Sequence, residues 1–275
     1  MTIRKVNLAC GGVYVADNGW VNLDYASFSR DVCQANLLGR LPLPDDSVEL
    51  VYSSHFLEHI PRDMVTHFLG ECLRILHPGG VLRLAVPDLE NICRTYLGHR
   101  ERGEHSQADF AVIELLDQCV RRDPGGELSR YFQALKLNPL VQSEQISFVK
   151  ERIGQEGMND SSPLITRKGS LASMLRRAPA VAEKLWILFV LRMLPKAFRD
   201  QNVSLASIGE RHHWLYDAYQ LQLLLVAAGF ESIELCTATS SRFIGFPFHP
   251  LDLDADGRPR KGVETLFIEA QKPTL

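Results

Sequence analysis

The sequence predicts an α/β protein: a doubly wound, mostly parallel sheet of seven strands whose last strand runs antiparallel, interrupted by a helical insertion. Three observations predict it. Short apolar runs alternate with loops and one well-marked helix over residues 5–90. Strand-like runs then vanish over residues 91–205. The alternation returns over 217–271 and closes with two strand runs that have no long helix between them. Strands separated by crossovers build a parallel sheet, whereas a short polar connection turns a strand back antiparallel.

Each element has its own signal. Val6 to Ala9 is a short buried-strand run, followed at once by Gly11 and Gly12. Val21 to Leu23 is a second run, ending at Asp24, and Val32 to Leu38 holds a third. Val48 to Ser53 (VELVYS) is the fourth. Pro61 opens a helix, since proline suits a first helical turn. Met64, Val65, Phe68, Leu69, Cys72, Leu73 and Leu76 then recur at helical spacing. Pro78-Gly79-Gly80 is read as the helix stop, and Val81 to Val86 (VLRLAV) as the fifth strand. Helical patterns follow at 108–122, 128–137 and 182–194, with Asp123-Pro124-Gly125-Gly126 and the polar stretch 154–170 between them. Asp217 caps a helix carrying Leu221, Leu224, Leu225 and Ala228, and Gly229 ends it. Ser232 to Cys236 and Thr265 to Ala270 are the last two strands. The expected organisation is a core of residues 1–90 and 206–275, with 91–205 inserted as a cap over the sheet's carboxyl edge.

Composition narrows the function. The 275 residues are 45% hydrophobic and 23% charged, which excludes wholesale disorder. A net charge of −3 leaves no chain-wide basic footprint for nucleic acid. Six cysteines occur with no C-x-x-C pair, so neither a zinc ribbon nor a redox motif is indicated, and reduced core cysteines are expected. No metal site is expected. The opening MTIRKVNLACGG runs straight into a strand without a leader-like apolar region, and the longest apolar run, Leu185 to Leu191, is far below a membrane span. The expected location is cytoplasmic.

VNLACGG at 6–12 is a strand followed by a small, glycine-containing turn, which lets backbone approach a ligand and exposes N–H groups. Asp24, at the end of the second strand, stands where a carboxylate can accept ribose hydroxyls. The full G-x-G-x-x-G pattern is absent, which argues against a nicotinamide or flavin enzyme.

The combination NLACGG, WVNLD at 20–24, LPLPDDSVELVYSSHFLEHI at 41–60 and ECLRILHPGGVLRLAVPD at 71–88 resembles the class I S-adenosylmethionine-dependent methyltransferases. It is most similar to methyltransferase type 11-like members with a hydrophobic-LEH-hydrophobic signature after the fourth strand. The resemblance covers residues 3–90 strongly and 212–271 more loosely, through HHWLYD and LLLVAAGF. It implies a Rossmann-like core with S-adenosyl-L-methionine as cofactor. Ala9, Cys10, Gly11 and Gly12 would line the methionine moiety, Asp24 would bind ribose, and Asn36 and Leu37 would approach adenine. Ser54 and His55 would face the sulfonium and the acceptor. Two departures stand out: the usual glycine loop is reduced to ACGG with a connection too short for a full first helix, and Asn36 stands where aspartate is common.

A hydroxyl acceptor needs a base, and histidine suits that task near neutral pH. His55, Glu58 and His59 form one cluster, in which Glu58 and His59 also suit structural roles at a helix entry. Arg211, His212, His213, Trp214 and Tyr216 form the other. The expected catalytic residues are His55, His212 and His213. His67, His77, His99, His105 and His249 read as surface or loop residues. The expected acceptor is a small molecule or a glycan or cell-envelope precursor, methylated at oxygen. DNA is disfavoured because SSHF replaces the Asn/Asp-Pro-Pro-aromatic tetrad of base-amine methylation. The two alternatives are a non-catalytic binding protein that keeps the fold and a nicotinamide-dependent oxidoreductase. Residues 167–200 carry eight Lys/Arg against two acidic residues, beside Leu185 to Leu191; this segment suits either a cap helix with a solvated face or peripheral contact with anionic lipid.

Overall fold

The computed structural model describes residues 5–27, 29–137, 139, 142–157, 186–187, 189–204 and 209–274. Residues 158–185 lie outside the described residues, and with them most of the polar stretch 154–170, more than half of the basic segment 167–200 and the start of the helical pattern at 182–194.

Seven strands form one sheet in the order β3-β2-β1-β4-β5-β7-β6. They are β1 (Lys5–Leu8), β2 (Trp20–Asp24), β3 (Val32–Gln34), β4 (Val48–Ser54), β5 (Leu76–Pro87), β6 (Glu231–Cys236) and β7 (Thr265–Gln271). The β1, β2, β3, β4 and β5 pairings are parallel. Strand β7 runs antiparallel to both β5 and β6. The mostly parallel sheet with an antiparallel last strand is therefore as expected. The third strand is shorter than its apolar run suggests, because Leu37 leaves the sheet and packs into the core beneath α1 (Arg62–Ile75).

One face of the sheet is covered by helices. Helix α1 supplies Val65, Phe68, Leu69 and Cys72, and the helix at Ala218–Ala227 supplies Leu221 and Leu225. The other face is covered by loops: Val13 and Val15 from the β1–β2 connection, and Phe243, Phe246, Phe248 and Leu251 from the β6–β7 connection, packed on Trp20, Leu50 and Tyr52. Two buried asparagines tie the first of these loops down. Asn7 Nδ2 donates to the Val13 carbonyl at 3.0 Å and Asn22 Nδ2 to the Val15 carbonyl at 3.1 Å. They do the work a crossover helix would otherwise do.

The helix stops earlier than the Pro78-Gly79-Gly80 pattern suggests, and that tripeptide lies inside β5. Helix α1 ends at Ile75 and β5 begins at Leu76 with no gap. The two glycines instead sit where β5 slips register against β4 between Val48 and Leu50. A Cβ on Gly80 would stand 2.9 Å from the His77 carbonyl oxygen, so only glycine fits that approach.

The insertion is built from α2 (Leu89–Glu101), α3 (His105–Val120), α4 (Gly126–Leu137), α5 (Ser143–Gly157) and the short α6 (Lys196–Asn202). Residues 186–187 and 189–193 are also helical. Phe110, Phe132, Leu135 and Val149 give the insertion its own small core. The chain leaves the sheet at Asp88 and returns at Tyr216, and the two points touch: the Leu89 N–H donates to the Tyr216 carbonyl at 2.9 Å. Helix α7 (Ala218–Ala227) then starts, capped by Asp217, whose carboxylate accepts the Gln220 N–H.

Candidate active site

Two cavities open at the carboxyl edge of the parallel strands, where open α/β sheets bind ligands. The first, of about 540 Å³, is lined by Asn7, Ala9, Cys10, Gly11, Gly12, Val13, Tyr52, Ser54 and His55 from the sheet, and by Leu251, Arg260 and Lys261 from the β6–β7 connection. That volume suits a nucleotide-sized ligand.

The ACGG turn is held in an unusual backbone shape. Ala9 and Gly11 have φ of 55° and 53°. A Cβ on Gly11 or Gly12 would meet no atom within 4 Å, so both glycines face open space at the cavity wall. Asp24 holds the turn from the next strand, its Oδ2 accepting the Gly11 N–H at 2.8 Å and its Oδ1 the Ala26 N–H at 3.0 Å. Cys10 is buried, and burial pushes its thiol up to about 12, so it stays protonated. Asn36 is exposed and its Oδ1 accepts the Leu38 N–H at 3.1 Å. The Leu37 side chain is buried in the core. Asp24, Asn36 and Leu37 are not among the residues that line the first cavity.

Behind this cavity lies a buried ionic network. Arg83, fully buried on β5, donates to Asp252 at 2.7 and 2.9 Å and to Glu269 at 2.7 Å. Tyr52 donates its hydroxyl to the other Asp252 oxygen at 2.7 Å. The network links β4, β5 and β7 to the 240–253 segment that walls the first cavity.

The second cavity, of about 410 Å³, lies between the sheet edge and the insertion. His55, Glu58, His59, His212, Lys261 and Glu264 line it from the core side. Glu114, Gln118, Arg121, Ser129 and Phe132 line it from α3 and α4. His55 and Lys261 line both cavities.

His55 follows β4 with φ of 49°, a left-handed conformation rare for a non-glycine residue. Its N–H donates to the Ala85 carbonyl at 2.8 Å, which locks the turn onto β5. Its Nε2 lies 3.1 Å from the Thr265 hydroxyl, and that hydroxyl donates to the Lys261 carbonyl. The hydroxyl proton is thus committed, and Nε2 is the donor. Nδ1 keeps its lone pair, 3.5 Å from Glu58 Oε1. Burial holds the His55 imidazole well below its ordinary pKa, so the ring is neutral.

Glu58 is fully buried in the short 3₁₀ turn Leu57–His59, and neither carboxylate oxygen has a hydrogen-bond partner. Burial raises its pKa to about 8. Its backbone carbonyl accepts the His213 N–H at 2.7 Å, which docks the second histidine cluster onto the first. His212 is buried with its ring 4.8 Å from that of His59, and burial drives its pKa to about 3. His213 is exposed and lines neither cavity. The structure therefore brings His55 and His212 together and leaves the His213 ring outside.

Lys261, Glu264, Glu114 and Arg121 are site-lining residues that no motif announced. They come from the polar β6–β7 connection and from inside the insertion, segments in which charged residues ordinarily face solvent.

Residues 13–84 match the family model described as a methyltransferase domain. Over these residues, about a quarter of the chain, the sequence is similar to S-adenosylmethionine-dependent methyltransferases. A probable S-adenosylmethionine-dependent methyltransferase of Mycolicibacterium smegmatis is 33% identical over 94 residues, covering 29% of this chain and 36% of the relative. The chain thus aligns with about a third of the length of that curated relative. Among solved structures, an S-adenosylmethionine-dependent methyltransferase of Archaeoglobus fulgidus is 12% identical over 98% of this chain and 86% of its own, with a TM-score of 0.39. A Thermotoga maritima methyltransferase, described as a possible histamine N-methyltransferase, is 13% identical over 98% of this chain and 81% of its own, with the same score. At scores this low neither structure transfers a residue role. The cofactor that this similarity implies is S-adenosyl-L-methionine. The first cavity fits it in one respect, the glycine cradle that faces open space, while the Asp24 carboxylate at the tip of β2 holds that cradle from behind.

Proposed function

We propose that this protein is an S-adenosylmethionine-dependent methyltransferase that transfers a methyl group to an oxygen atom of a small, hydroxyl-rich acceptor, such as a glycan or cell-envelope precursor. The observation that carries the reading is the junction of the two cavities at His55 and Lys261. Bound S-adenosylmethionine supplies an activated methyl group on a sulfonium, so the protein's task is alignment and exclusion of water. Ala9 to Gly12 form the cradle for the methionine end, Asp24 receives the ribose, and Ser54 closes the pocket below His55. The adenine contacts assigned to Asn36 and Leu37 are part of this proposal. Lys261 offers a cation for the cofactor's carboxylate.

On the acceptor side, carboxylates, Gln118, Ser129 and Lys261 surround the second cavity, a donor and acceptor set suited to hydroxyls. His55 is the group best placed to take the hydroxyl proton, because it is neutral and stands at the junction. His212 orders the acceptor wall, and His213 acts through its backbone. In this reading, residues 89–216 form the acceptor module and the remainder the cofactor core, slightly wider than the 91–205 division expected from periodicity.

The basic segment 167–200 is proposed as a peripheral lipid contact. Trp186, Phe189, Met193 and Phe198 are each more than half exposed beside Arg192, Lys196 and Arg199. Vesicle flotation with and without anionic lipid tests it, and no co-flotation in either case removes it. Among the described residues no helix is long and apolar enough to cross a membrane.

Calorimetric titration tests the core of the proposal. Saturable binding of S-adenosylmethionine and S-adenosylhomocysteine with silence toward NAD is expected. Silence toward the first two overturns it.

A further inference from the structure

We propose that Glu58, His59 and His212 form a binding site for one divalent transition-metal ion at the wall of the second cavity. One ligand atom from each of the three lies within 4.8 Å of those of the other two, close enough to converge on a single ion with small side-chain movements. Two imidazoles and a carboxylate are the nitrogen and oxygen donors that zinc, cobalt and iron(II) take.

Independent features of the cluster point the same way. Both Glu58 oxygens are buried without a hydrogen-bond partner, and so is His212 Nδ1. Buried polar atoms are ordinarily satisfied, and three orphaned atoms in one cluster call for a missing ligand. The His59 ring is also held as metal-ligating histidines are. Its Nδ1 lies 2.8 Å from the Arg211 carbonyl, which can only accept, so Nδ1 carries the proton. The lone pair is then on Nε2, which faces Glu58 Oε1 at 3.9 Å. Lys261 and Arg121 are the cations nearby. Arg121 is paired with Asp117 and Glu210, and Glu264 and Glu114 add negative charge to the same cavity.

All three residues line the cavity, so an ion held by them has positions left for an oxygen of whatever occupies it. That last step rests on the acceptor reading above; the ion site does not.

The test uses the full chain, stripped of metal with a chelator and dialysed. Cobalt(II) is titrated by visible absorption and zinc(II) by calorimetry, each with and without S-adenosylhomocysteine. The expected result is one ion per chain, with a ligand-field band and no thiolate-to-cobalt charge transfer. His59→Ala, His212→Ala and Glu58→Gln should each weaken zinc binding by at least about tenfold, while His77→Ala, at the amino end of β5, should not. Uptake no greater than that of the His59→Ala/His212→Ala double variant overturns the site. So does a charge-transfer band, which would place the ion on cysteine. If a variant fails to fold, the wild-type stoichiometry and spectrum still decide. Ion binding without S-adenosylhomocysteine binding would sink the methyltransferase proposal alone, and the reverse would sink the metal site alone.

Discussion

Asp24 shows how one side chain can serve both the fold and the site. Its carboxylate holds the Gly11 and Ala26 N–H groups and so presents the glycine turn to the first cavity. Asp24→Ala should leave the fold intact and cost about 1.5–3 kcal/mol of cofactor binding, a roughly tenfold to hundredfold loss of S-adenosylhomocysteine affinity by calorimetry. Unchanged affinity would displace the ribose site. His55→Gln should keep that affinity and lower turnover, and full turnover would remove His55 as the base. At this scale the sequence was informative where a residue sits in a local motif: Gly11, Gly12, Asp24 and His55 are each fixed by a strand end. His212 and His213 could not be separated from sequence, because adjacent residues in an irregular segment have no periodicity to say which ring turns inward. Lys261 was invisible for the same reason.

At the scale of elements, side-chain clamps hold the connections that lack helices. Glu71 on α1 accepts the Leu41 N–H at 2.7 Å and two Arg74 donors at 2.8 Å, while Arg74 also caps the Leu41 and Leu43 carbonyls. The Arg74 guanidinium beside it lowers the Glu71 pKa from 4.5 to about 2. A carboxylate depressed in the folded state stabilises above its unfolded pKa and loses that contribution as pH falls through the folded one. Glu71→Gln should therefore be less stable than wild type at pH 7 in urea melts, and the gap should close between pH 4.5 and pH 2. A gap that persists in acid would mean the clamp is not ionic. Arg83→Met leaves Asp252 and Glu269 buried without their cation, and should cost about 3–5 kcal/mol. Periodicity gave the strands and α1 well, because those faces are buried on one regular repeat. It could not give the clamps, whose partners are up to 200 residues apart in sequence.

At the scale of the whole molecule, the insertion and the sheet interlock through backbone. A Cβ on Gly154 in α5 would fall 1.9 Å from the Arg260 carbonyl oxygen, and one on Gly262 would fall 2.1 Å from the Arg152 carbonyl oxygen. Both glycines have positive φ, so alanine at Gly154 adds roughly 1–2 kcal/mol of backbone strain to a clash that nothing flexible can relieve. Gly154→Ala should lower the melting temperature and raise the acceptor KM more than it alters cofactor affinity. Equal effects on both would show that the contact is purely structural. The sequence marked the insertion by the disappearance of strands, and α2 begins immediately after β5. The ends of the insertion meet at the hydrogen bond between Leu89 and Tyr216. A detour that starts and stops at one point leaves the strand order undisturbed, so its length can vary wherever the close backbone contact of Gly154 and Gly262 is kept. A chimera that splices another helical cassette between Asp88 and Tyr216 should keep its cofactor chemistry while taking a new clientele of acceptors.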